Sequence, residues 1–84
     1  MATQEEFDAA VAKSKTISTR PSNEDLLALY SLFKQATSGD ASGKRPGVFD
    51  LKGRAKYDAW AGRKGTSKDD AMSAYVALVD KLHG

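Results

Sequence analysis

The residues best suited to chemistry in this 84-residue chain are lysines set beside aromatic rings. Lys34 stands one helical turn beyond Tyr30, and Lys52 and Lys56 stand one turn apart on another segment. Neither Lys52 nor Lys56 has an acidic residue four positions away, so the pair repels mildly and a docked anion would relieve that cost. Lysine suits phosphate as a compact point charge. Lys34, Lys52 and Lys56, with Lys15, are therefore the candidates for an anion, and Tyr30, Phe33 and Tyr75 for a flat ring. The same positions also read as ordinary packing under a lysine that snorkels over apolar surface, and on periodicity alone that is the commoner meaning.

Catalytic chemistry is poorly served. The chain has no cysteine and one histidine, His83, next to the C-terminal residue. Most of its carboxylates fall where helix N-termini would use them as caps or dipole partners. It has no glycine-rich phosphate loop and no zinc-ligand spacing. A binding protein is expected, without catalytic residues, metal or cofactor.

The elements that must position these side chains are helices. Thr3 to Glu6 spells a capping box, opening a helix with Phe7, Ala10, Val11 and Ser14 on one face that fades near Ile17. Ala9, Ala10 and Ala12 keep its surface thin, and Lys13 and Lys15 suit the dipole of its last turn. Ser22 with Asp25 caps a second helix, Asn23 to Ser38, stopped by Gly39. Its Leu26, Leu27, Leu29, Tyr30, Leu32 and Phe33 cover roughly 220°, wider than the ~100° that one core contact requires. A long aperiodic connection follows, from whose end Phe49 is expected to cover part of the core.

Asp50 is placed to cap a third helix, Leu51 to about Gly62, with Gly53 weakening its first turn and Tyr57 and Trp60 paired as core. Ser67 with Asp70 caps the last helix, whose broad apolar face runs from Ala71 to Leu82 with Tyr75 at the margin, its phenol free to point outward. No segment alternates in the manner of a strand. The fold class is all-α, one domain over residues 1–84, and the long second connection allows a crossing of the bundle.

Net charge is only +2, but its distribution is uneven. Between Lys44 and Lys64, seven basic residues against two acidic ones leave +5, and so −3 elsewhere. That pattern suits an anionic small ligand better than a nucleic acid, whose footprint is usually more strongly basic. The acidic start and the lack of a long apolar run give the expectation of a soluble, intracellular chain without a leader, and a cytoplasmic monomer is expected.

Three long stretches then carry a family resemblance: Tyr30 to Asp40 (YSLFKQATSGD), Arg45 to Trp60 (RPGVFDLKGRAKYDAW) and Lys64 to Tyr75 (KGTSKDDAMSAY). With Phe7-Asp8, they resemble the acyl-CoA-binding protein family in order along nearly the whole chain. The resemblance implies an up-down-down-up four-helix bundle that binds long-chain fatty acyl-CoA thioesters unaltered, as an intracellular carrier and pool keeper meeting membranes or acyl-CoA-using enzymes transiently. By position it implies that Tyr30, Lys34 and Lys56 hold the ribose 3′-phosphate and that Phe33 lies against adenine. Lys52 and Lys15 would meet other polar parts of CoA or the thioester end, Tyr75 would close the site, and Leu26, Leu27, Ala9 and Ala10 would line the acyl channel. Phe33 stands where many members have tyrosine, and Tyr57 replaces a common tryptophan. The runner-up is a helical adaptor whose apolar face receives an amphipathic helix. A nucleic-acid module ranks third, because the lysines are spread over several helices.

Overall fold

The computed structural model describes residues 2–84. Four helices carry the fold: α1 (Gln4–Ser14), α2 (Asn23–Ser38), α3 (Leu51–Ala61) and α4 (Lys68–His83). All four expected caps are in place. Thr3 and Glu6 form the reciprocal box, and Ser22, Asp50 and Ser67 each accept from the backbone N–H three residues on. Gly53, unfavourable by propensity, is what lets the Asp50 carboxylate close over its own N–H at 3.0 Å, since a Cβ there would collide with that carboxylate. α1 ends at Ser14, earlier than Ile17. Beyond it Lys15 and Thr16 bond back to Ala12 and Lys13 in a tight turn, where the Thr16 hydroxyl also donates to the Lys13 carbonyl.

The topology is up-down-down-up, and the helices neighbour one another in the order α1, α4, α2, α3. The crossover between α2 and α3 explains why these two run parallel. It travels back along α3, pinned to the C-terminal half of that helix: Trp60 Nε1 donates to the Gly39 carbonyl at 2.8 Å, the Tyr57 hydroxyl to that of Gly43 at 3.2 Å, and Arg45 grips both oxygens of Asp58. Gly39 begins this path with a φ of +82°, a backbone conformation that suits glycine.

The principal core joins Phe7 and Ala10 of α1 to Leu29, Leu32 and Ala36 of α2 and to Ala71, Met72, Tyr75 and Val79 of α4. Trp60 makes a smaller seat between α3 and α2, as expected of a core residue, with Tyr57 half-buried edge-on to it. Phe49 overturns its expectation. It is 98% exposed and covers nothing, because the core is already closed by α1, α2 and α4. Lys13 also does more than suit a dipole, reaching Asp80 of α4 at 2.9 Å. Exposed pairs of this kind contribute about 0–1 kcal/mol.

A polar latch ties the end of α2 to the connection that follows α3. Gln35, fully buried, donates through Nε2 to Asp40 at 2.8 Å and to the Thr66 carbonyl at 2.8 Å, while the Gly65 N–H donates to the same Asp40 oxygen. Both partners of Gln35 are acceptors, which fixes which way its amide faces. The Gly65 and Gln35 hydrogen bonds hold the Asp40 carboxyl below the usual carboxylate range. Stability linked to Asp40 is thus present above the ordinary carboxylate pKa and lost as pH falls through the lowered one. Asp40→Asn is expected to melt below the parent at neutral pH, with the gap closing under acid. Parallel melts from about pH 7 to pH 2 check this, and a gap constant across that range would contradict it.

Candidate ligand-binding site

Parallel packing puts turns of α2 and α3 in register. Tyr30 and Lys34 are one turn apart on α2, Lys56 and Trp60 one turn apart on α3. Each lysine lies over the aromatic ring of the opposite helix, Lys56 Nζ at 5.5 Å from the Tyr30 ring centre and Lys34 Nζ at 4.8 Å from that of Trp60. Ring faces attract ammonium groups, and the contact orders two long side chains that would otherwise wander. Neither lysine is paired with a carboxylate among the described residues. Two cations are thus held along one seam with their hydrogen-bonding capacity uncommitted.

The Tyr30–Lys56 end of the seam opens into a groove of about 480 Å³, within the ~300–1,000 Å³ usual for small-molecule sites. Leu26, Leu27 and Tyr30 form its α2 wall, Leu51, Lys52, Ala55 and Lys56 its α3 wall, and Arg20 and Asn23 its end. Its charged residues are all cations. A second cleft of about 340 Å³ shares Leu27 but has the opposite character. Glu24 and Asp58 line it, and its one arginine, Arg63, donates through Nε to the Ser31 hydroxyl. An anion with an apolar tail fits the first groove and is disfavoured by the second.

The structure thus gathers five of the sequence-derived candidates, Leu26, Leu27, Tyr30, Lys52 and Lys56, in one groove, with Lys34 one turn along the seam. The others lie elsewhere. Phe33, half-buried, stacks on Phe7 with centroids 6.0 Å apart and leans on Tyr75 at 6.2 Å. Tyr75 is a correction: only 4% exposed, it belongs to the core and not to a margin, because Phe7 and Phe33 enclose the side that helical periodicity left open. Ala10 is likewise core, 4% exposed, and is not among the residues that line the groove. Ala9 on α1 and Lys15 just beyond its end are exposed, α1 neighbours α4, and neither residue is part of the groove.

Sequence reasoning missed Arg20, Asn23 and Leu51 as lining residues, and also Ala55, which lies between Lys52 and Lys56 on α3. Arg20 and Asn23 flank the Pro21-Ser22 cap of α2, and Leu51 opens α3, so their one signal was a place at the helix ends that meet. No group of acidic, histidine or cysteine side chains able to hold a metal occurs among the described residues.

The chain is similar to known proteins along most of its length. A family model described as Acyl CoA binding protein matches residues 4–79. Acyl-CoA-binding protein homolog 1 of Caenorhabditis elegans is 59% identical over 76 residues, spanning 90% of this chain and 88% of its own. The acyl-CoA-binding protein homolog of Manduca sexta is 52% identical over 83 residues, spanning 98% and 92%. Among solved structures, acyl-CoA-binding protein 2 of Oryza sativa aligns with a TM-score of 0.90 at 49% identity, covering 94% of this chain and 86% of that one.

Proposed function

This chain belongs to the acyl-CoA-binding protein family, and on that footing we propose that it binds long-chain fatty acyl-CoA thioesters without altering them, as a carrier and pool keeper. The observation that supports this most is the Lys56–Tyr30 contact at an apolar groove whose charges are all positive. Lys34, Lys56 and Tyr30 hold the ribose 3′-phosphate, drawing on ammonium groups that have no carboxylate to release. Phe33 gives adenine an apolar face, and buried Tyr75 braces that ring from behind instead of closing the site. Lys52 on the groove wall meets other polar parts of CoA; Lys15, outside the groove, meets only parts that project from it. Leu26, Leu27 and Leu51 receive the start of the tail, with exposed Ala9 a further contact for a chain that reaches α1.

Each methylene that leaves water contributes ~0.8 kcal/mol, so ten supply about 8 kcal/mol before ordering costs. Affinity should climb ~4-fold per methylene from octanoyl-CoA upward and level off once the tail outruns its groove. Calorimetry across octanoyl to eicosanoyl esters tests this, and a series flat from its shortest member would contradict it. No helix of the described residues is long and apolar enough to cross a membrane. The cytoplasm is the proposed site of action, with transient contacts to acyl-CoA-using enzymes or bilayers.

A further inference from the structure

The largest apolar side chains left in water are not scattered. Val48, Phe49 and Leu51 are 61%, 98% and 75% exposed and sit together where the crossover turns into α3. Such a cluster loses free energy in water for no gain in the core, which marks it as a contact surface. Its charged setting is one-sided. From Ala41 to Tyr57 there are five basic residues and one acidic one. That acidic residue, Asp50, is occupied in capping α3, and Arg45 is occupied by Asp58. Lys44, Lys52 and Lys56 have no carboxylate partner among the described residues.

From this juxtaposition we infer that the Val48–Leu51 tip is a docking surface for an anionic lipid bilayer. The apolar side chains enter the interfacial layer, and the flanking lysines meet acidic headgroups. A second copy of this chain is a poorer occupant, because a two-fold contact would press the same lysines against each other. The tip is continuous with the groove: Leu51 belongs to both, so docking brings the groove mouth to the lipid surface. That last consequence, passage of an acyl chain between bilayer and groove, rests on the function proposed above. The docking itself does not.

The test uses the full chain without acyl-CoA, floated with vesicles of phosphatidylcholine alone or with about 30 mol % phosphatidylserine. The parent should float with the mixed vesicles and remain behind with the neutral ones. Phe49→Asp and Lys44→Glu, both outside the groove, should each lower partitioning about tenfold while palmitoyl-CoA binding in solution stays unchanged. The inference is overturned if the parent ignores mixed vesicles, if both vesicle types bind it equally, or if Phe49→Asp floats as well as the parent. A dimer of the parent that Phe49→Asp dissolves would likewise assign the surface to a second copy. A parent that floats as expected but fails to bind palmitoyl-CoA would remove the ligand reading and leave the docking surface standing.

Discussion

Lys56→Ala is expected to weaken palmitoyl-CoA binding about 30-fold while leaving the melting temperature where it was. The ammonium lies over Tyr30 at the groove, and its side chain is exposed, so the folded state loses little when it goes. A charge-assisted hydrogen bond to phosphate contributes about 2 kcal/mol, which is the factor of 30. Lys34→Ala should weaken binding alike; Lys34 is half-buried, and the stability it gives up is its contact with the Trp60 ring, about 0.5–1 kcal/mol. Calorimetry paired with thermal melts separates the two quantities. Melting losses that equal the binding losses would make these lysines structural.

Trp60→Ala is expected to do the reverse, costing about 3–5 kcal/mol of stability. Trp60 is 7% exposed, seats α3 on α2, and satisfies the Gly39 carbonyl through its indole N–H. α3 packs against no other helix, so losing this seat loosens the element that carries Lys52 and Lys56. In a domain of this size the melting temperature should fall by roughly 15–30 °C. Trp60→Phe keeps most of the packing and gives up the indole hydrogen bond, for a cost nearer 1 kcal/mol. Equal melting losses for the two would mean that the hydrogen bond, and not the ring, holds α3.

Local signals reached the sequence reader well. Each helix start was written in a side chain that accepts from the backbone three residues on, and α2 runs over the residues its cap and stop mark out, Asn23 to Ser38. The lysine-and-ring pattern was visible as well, though its partners were not. Periodicity shows what shares a face of one helix, while the pairing of Lys56 with Tyr30 and Lys34 with Trp60 follows from two helices running parallel. Tyr75 was misread for the same reason, since the rings that bury it come from α1 and α2. Gln35 left no trace at all: an amide in mid-helix reads as surface until Asp40 and Thr66 are folded around it.

Everything functional here depends on head group and tail being recognised together, by cations over rings at one end and leucines at the other. The most direct measurement is calorimetry of the purified chain with palmitoyl-CoA, free CoA and palmitate in turn. Palmitoyl-CoA should give one saturable one-to-one isotherm far tighter than either of its halves. Flat heats with micromolar palmitoyl-CoA, or free CoA binding as tightly as the ester, would contradict it.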